Sequence, residues 1–426
     1  VKILLVNKFY FPLGGTETCL FHLENLLREK GHSVLVFSTR DPRNRESAQS
    51  RFFVEKIDYN RRDIPLRERL KFGLRLLYSL DAARNMDALL RDAKPDIAHL
   101  HNICHQISPS ILPVLRRHGV PIVQTLHDLK LACPSYRMLA PNGICERCKG
   151  SRYYNAILRR CVKDSFAFST LNCLEAYFHK AIRVYDLVDL FISPSRFNRD
   201  KLVSFGMDPR RIRHLPNFVE LDPTPSFNPD GYVLFCGRLG SEKGVFTLIK
   251  AVQTDPNIRL VVAGSGPEEL PVRRYLADRQ VHNVQLAGFV SGEKRNRLIR
   301  QSSFLVVPSE CYENCSLSVL EAFACGKPVV GANIGGIPEQ IKPGFNGLLF
   351  EPGNVGDLRE KIRFLASHPD ELSRMGRNAR QIAEEVYSPI PHYQTLMQVY
   401  REAMAIHHRR TAGRVALRLP SAAPHG

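Results

Sequence analysis

Two carboxylates, Glu313 and Glu321, stand eight residues apart in PSECYENCSLSVLEAFACGKP (308–328), which follows the buried apolar run FLVV. Eight residues is a little over two helical turns, so both acids can lie near one face where the intervening segment is helical. Acceptor-only groups at the carboxyl end of a strand suit a ligand rich in hydroxyls. The plainer reading makes Glu321 a surface charge and Glu313 a first-turn acid favoured by the helix dipole. Directly after the apolar run YVLFC, the loop GRLGSEKG (237–244) carries Arg238 and Lys243 towards a helix start. Cations beside a helix N-terminus make an anion site fit for a diphosphate. The loop has no Gly-Lys-Ser/Thr, which argues against a Walker-type nucleotide triphosphatase.

Two further glycine loops precede helical patterns. In FPLGGTE, Gly14 and Gly15 let backbone approach a ligand closely, or simply close a tight turn. LVVAGSGPEEL carries Gly264 and Gly266 but has Glu269 where a dinucleotide fingerprint has its third glycine, so a dehydrogenase is a poor reading. His127 ends the run PIVQTLH and, taken alone, reads as a histidine hydrogen-bonded at a strand end. Cys133, Cys145, Cys148 and Cys161 are spaced Cys-x11-Cys-x2-Cys-x12-Cys. That spacing fits a closed, structural four-thiolate zinc site; four reduced thiols in a basic loop is the alternative.

These residues need a scaffold, and the sequence supplies an α/β one. VKILLVN, SVLVFS, DIAHLH, PIVQTLH and VDLFISPS alternate with helical patterns, as do YVLFCG, IRLVVAG, NVQLAG, FLVVPS and PVVGA. Such alternation predicts parallel sheets with crossover helices. At 426 residues, with 44% hydrophobic residues, two globular domains are expected. The Pro-rich stretch LDPTPSFNPDG (221–231) divides them. The expected units are an N-terminal domain over 1–220 with a cysteine-containing insertion at about 129–165, and a C-terminal domain over 221–388. A helix over 389–406 is expected to cross back to the first domain, ahead of a disordered basic tail over 407–426. The spacing of Leu66, Leu70, Leu74 and Leu77 predicts a basic amphipathic helix over 66–80 that packs on a sheet or meets a membrane surface.

The net charge of +18 is uneven: residues 1–220 hold 36 Lys and Arg against 22 Asp and Glu, or +14. A basic half beside a near-neutral one points to the phosphates of lipid headgroups ahead of nucleic acid; solubility alone is the bland reading. No apolar run reaches the roughly 18 residues that span a bilayer, and the first residues read as a strand rather than a signal peptide. A cytoplasmic location is expected, with peripheral contact at the cytoplasmic face of an anionic membrane.

GGTE from Gly14, TLHD from Thr125, GRLGSEKG from Gly237, AGSGPE from Ala263, and Glu313 to Glu321 ahead of EAFACGKPVV occur in one order along nearly the whole chain. Together they resemble family 4 of the retaining glycosyltransferases, which have the GT-B architecture of two Rossmann-like domains facing across a cleft. The resemblance implies a nucleoside-diphosphate sugar as donor and a lipid-linked or polysaccharide acceptor in cell-envelope or exopolysaccharide synthesis. It implies that Arg238 and Lys243 hold the diphosphate, with Gly14 and Gly15 closing over it. Glu321 would bind the ribose, Glu313 the sugar hydroxyls, and His127 the sugar from the other domain; Gly264, Gly266, Ser316 and Leu317 would line the donor site. No metal is required for catalysis in this reading, and no nucleic acid is expected as a partner. A nucleotide-sugar epimerase or glycogen-type synthase would keep the fold, and a catalytically lapsed RNA- or membrane-binding protein is the non-enzymatic alternative.

Overall fold

Runs of four to six apolar residues, too short for helices and buried on both faces, form the strands of two parallel sheets. The computed structural model describes residues 1–57, 66–140, 143–227 and 231–416. The first sheet contains β1 (Lys2–Val6), β2 (Ser33–Phe37), β3 (Ile97–Leu100), β4 (Ile122–Thr125), β5 (Leu190–Ser193) and β6 (Ile212–His214), in the order β2-β1-β3-β4-β5-β6. The second contains β7 (Tyr232–Cys236), β8 (Leu260–Ala263), β9 (Val284–Gly288), β10 (Ser302–Val307), β11 (Val329–Ala332) and β12 (Gly347–Phe350), in the order β9-β8-β7-β10-β11-β12. Alternation along β1 is exact in its consequence: Leu4 and Val6 enter one core, Ile3 and Leu5 another on the opposite face. β7 divides its side chains in the same way.

Each sheet reverses direction of strand order once, between β1 and β3 and between β7 and β10. Loops leaving such neighbours diverge to opposite faces and leave a crevice at the carboxyl ends of the strands. The helices that matter here are α1 (Gly15–Glu29), α2 (Leu66–Leu77), α3 (Phe166–Ala181), α4 (Val245–Val252), α5 (Leu317–Ala324) and α6 (Pro389–Ala416). The helix predicted over 66–80 stops at Leu77, because the Ser79 side chain accepts from the Ala82 amide and caps a new helix from Leu80. The side chains of Arg67, Arg69 and Lys71 lie outside the described residues. Within the cysteine-containing segment, Leu139–Ala140 pairs antiparallel with Gly143–Ile144.

α6 returns to the first sheet. Its Leu396, Val399, Tyr400 and Ala403 pack with Ile3, Leu5, Val123 and Ile192. The outgoing and returning segments are tied where they pass, the Val219 amide donating to the Tyr387 carbonyl at 2.9 Å. α6 also runs to Ala416, so residues 407–416, expected in a disordered tail, are helical; 417–426 lie outside the described residues. The reason is a buried anion that the sequence pattern does not expose. The fully buried Asp189 carboxylate accepts from Arg116 at 2.9 Å, from the Ile122 amide at 2.9 Å and from Arg410 at 3.4 Å, and His407 joins the cluster. Replacing Asp189 with Ala strands these cations. We expect a loss of about 3–5 kcal/mol in chemical denaturation, together with faster amide exchange in the last turns of α6.

Candidate active site

The C-terminal wall of the cleft is built on the loops after β7 and β10. The Gly237–Gly244 loop is pressed against the loop after β8, where Gly264 adopts φ +148 and a Cβ would run into the Gly237 carbonyl. Gly264 and Gly266 therefore shape the cation loop by close backbone packing. Lys243 donates to Glu313 Oε1 at 2.5 Å, and the Ser309 hydroxyl donates to the same oxygen at 2.6 Å. Burial pushes the Glu313 carboxyl up, but Lys243, Ser309 and Arg238 outweigh it and leave the group below its usual value. Lys243 is raised, because its partner carboxylate overcomes desolvation. Arg238 is paired with Glu242, whose other oxygen takes Arg137 at 3.2 Å. The site thus holds each cation against a carboxylate that a stronger anion can displace.

α5 begins at Leu317, four residues past Glu313, so the two carboxylates do not share a helix face. Glu321 is buried inside α5 and paired with Arg295 at 2.9 Å; burial raises its carboxyl despite that partner. Ser316 stands at the N-cap position of α5 without a side-chain capping bond, and its amide donates to Gln340 Oε1 at 2.9 Å. Leu317 reaches across the cleft: a Cβ added to Gly15 would meet its Cδ1 at 3.6 Å. Gly14 is the extended residue before α1, and Gly15 is its first residue.

On the N-terminal wall, His127 follows β4 and is joined to the opposite wall by its neighbour. The Leu126 carbonyl accepts from Asn314 Nδ2 at 2.8 Å, and Asn314 Oδ1 accepts from the Ser195 hydroxyl at 2.7 Å. Asn314 directly follows Glu313, so His127 and Glu313 are fixed on either side of this bridge. Behind His127 stands a stack of imidazoles. His101 Nδ1 and His127 Nε2 are 2.8 Å apart, and His99 meets Tyr400 of α6 and Thr125, each at 2.7 Å. The rings stack at centroid distances of 4.6 and 5.0 Å. His101 is buried, and its Nε2 finds no partner among the described residues. Burial, with Lys8 nearby, pushes His127 down to about 4; His99 falls to about 3. A cavity of ≈ 450 Å³ opens beside this wall, lined by Lys8, His101, His105, Asp128, Lys130 and Tyr185 among others.

Sequence reasoning singled out neither His101, Asn314, Arg295 nor Lys8. His99 and His101 carry a signal, alternate histidines ending an apolar strand, whereas nothing distinguishes Asn314 beyond its place beside Glu313. Gly335 and Gly336 were also passed over; a Cβ on Gly336 would strike the Asn314 carbonyl, so this pair clamps the loop carrying Glu313. The zinc expectation gains no support. Cys133 and Cys148 are hydrogen-bonded to each other, with Cys145 and Cys161 within electrostatic reach, but among the described residues no group of three or more His, Cys, Asp or Glu is arranged to hold a metal ion. Cys133 belongs to the core of the first sheet and contacts the Ser135 hydroxyl, while Cys148 packs with Tyr153 and Cys173. The segment thus draws the four thiols near one another, as the spacing suggested, without the arrangement of a metal site among the described residues.

The family profile described as Glycosyltransferase Family 4 matches residues 13–223, and that of Glycosyl transferases group 1 matches 220–382. An uncharacterized glycosyltransferase of Methanocaldococcus jannaschii is 33% identical over 389 residues, covering 90% of this chain and 94% of its own. Glycogen synthase of Mycobacterium tuberculosis is 24% identical, covering 89% and 90%. Among solved structures, sucrose-phosphate synthase from Thermosynechococcus elongatus superimposes with a TM-score of 0.71 at 19% identity, over 95% of this chain and 99% of that one. Anabaena HepE in complex with UDP-glucose gives 0.64 at 18% identity, over 93% and 98%. These neighbours share the GT-B arrangement of two facing parallel-sheet domains.

The buried imidazoles make stability depend on pH with a definite sign. His99, His101, His127 and His392 are neutral in the fold, whereas their unfolded counterparts take up protons below about pH 6.5. The unfolded state binds more protons in that window, so stability is full above about pH 6.5 and falls as pH drops towards about 4. Thermal melts at pH 7, 6 and 5 should show this decline, and His127→Asn should make it shallower.

Proposed function

The chain belongs to the group 1, family 4 glycosyltransferases, and from that premise we propose that it transfers a sugar, with retention of anomeric configuration, from a nucleoside-diphosphate sugar to a lipid-linked or polysaccharide acceptor. The observation carrying this reading is the opposition of two walls: paired Lys243 and Glu313, with Arg238, on one side, and His127 on the other, held together through Asn314. Neighbours of the same fold bound to UDP and UDP-glucose support a nucleotide-sugar donor.

The resting ion pairs suggest how the donor is received. A diphosphate draws Arg238 and Lys243 from Glu242 and Glu313, and the freed Glu313 turns its acceptor oxygens to the sugar hydroxyls. Glu321 takes the ribose hydroxyls in place of, or beside, Arg295. Breaking the bond from the anomeric carbon to the phosphate oxygen sends its electron pair onto the diphosphate, where both cations and the loop amides stabilise it. The acceptor hydroxyl attacks from the same face, and its proton passes to the departing phosphate oxygen. His127, neutral and engaged through Nε2 by His101, presents Nδ1 to the donor sugar. The cavity on the N-terminal wall receives the acceptor, and the +14 charge of residues 1–220 supports work beside an anionic membrane.

Incubation with a panel of uridine- and guanosine-linked sugars and with candidate acceptors, followed by mass spectrometry and NMR of the product linkage, tests this directly. We expect a glycoside with the donor's anomeric configuration. Lys243→Ala and Glu313→Ala should each lower kcat by roughly 10²–10³. An inverted product would remove the retaining assignment, and unchanged turnover in both variants would remove the site.

A further inference from the structure

The outward face of α3 is apolar along most of its length, with Thr170 its one polar side chain between Phe166 and Leu174. Phe166, Leu174, Tyr177, Phe178 and the C-capping Ile182 recur at helical spacing and are all exposed, Phe166 by 62% and Leu174 by 53%. A solvent-facing helix stripe is ordinarily polar. The stripe continues onto its neighbours: Phe178 meets Tyr78 just beyond α2, Tyr177 meets Tyr153, and Leu158 nearby is 75% exposed. Contiguous apolar surface of this kind marks a place of association.

Charge identifies the partner. Residues 147–183 contain eight Lys and Arg against two acids, Asp164 and Glu175, and Glu175 is buried and paired with Lys130 at 2.7 Å. A twofold dimer through this face would oppose two patches of the same positive sign. An apolar stripe rimmed by aromatics and cations instead matches a surface that is oily within and anionic at its edge. Among the described residues no helix is long and apolar enough to cross a membrane, so insertion would be interfacial.

We propose that the outer face of α3 lies in the interface of an anionic membrane. Its inner face then acquires a purpose. Asn172 and Glu175 hold Lys130, and Glu175 also meets His105 at 3.2 Å; Lys130 and His105 both line the ≈ 450 Å³ cavity. One helix therefore links the membrane plane to the cavity, a deepening that rests on the reading of that cavity as the acceptor site.

The test is co-sedimentation with vesicles of phosphatidylcholine alone or mixed with phosphatidylglycerol. We expect binding to the mixed vesicles only, weakened by salt. Phe166→Ser/Leu174→Ser should reduce binding at least about tenfold with unchanged melting temperature, since both side chains are already more than half exposed. Arg152→Glu/Arg160→Glu should reduce it separately. Binding that persists in both variants, absence of binding by the unaltered chain, or a dimer in light scattering that the serine variant abolishes would overturn the proposal. Transfer to a water-soluble acceptor should be the same in the unaltered chain and the serine variant. Loss of that transfer in the unaltered chain would refute the proposed reaction and leave the vesicle result standing on its own.

Discussion

The side-chain amide of Asn314 spends its hydrogen bonds on the opposite domain, on the Leu126 carbonyl and the Ser195 hydroxyl. Few groups are better placed to set the width of the cleft. The residue before it carries the carboxylate that holds Lys243, and the residue after Leu126 is the histidine of the facing wall. Gly335 and Gly336 press on the same loop from behind, with the Gly336 amide bonded to the Glu313 carbonyl at 2.7 Å. The backbone of Glu313 is thus held by the Gly336 amide on one side and by the Asn314 bridge on the other, which leaves its carboxylate free to change partners.

Electrostatics in the cleft follow a single pattern, in which cations and carboxylates meet as pairs at partial burial. Removing either partner from such a site leaves an uncompensated charge, but supplying a stronger anion exchanges one pairing for another. The histidine stack on the other wall is uncharged for the opposite reason, since burial and neighbouring rings disfavour the second, charging proton on the imidazole. Paired charge on one wall and neutral imidazoles on the other fit the proposed reaction, in which a charged leaving group departs from a neutral sugar.

Much of this was legible in the residues. Apolar runs gave the strands, glycine loops gave the crevices, and Arg238, Lys243 and Glu313 stood where the strand ends place them. The partners were hidden, because Arg295 of Glu321 and Arg137 of Glu242 come from distant segments that no local pattern joins. Cysteine spacing suggested convergence, and the four thiols do gather, but among the described residues they are not arranged to hold a metal ion. The segment FAFSTLNCLEAYFHKAI is apolar enough to read as a buried helix; only its neighbours reveal that one stripe lacks a covering layer. The last turns of α6 escaped notice because their anchor, Asp189, sits more than two hundred residues away.

The bond between Val219 and Tyr387 makes the chain's two passages between domains a single strap of two strands. His392 fastens the same strap, its Nδ1 lying 2.9 Å from the Pro216 carbonyl. A single tether would let one domain swivel in any direction. A doubled one resists twist, so the two walls of the cleft are held in one register across from each other.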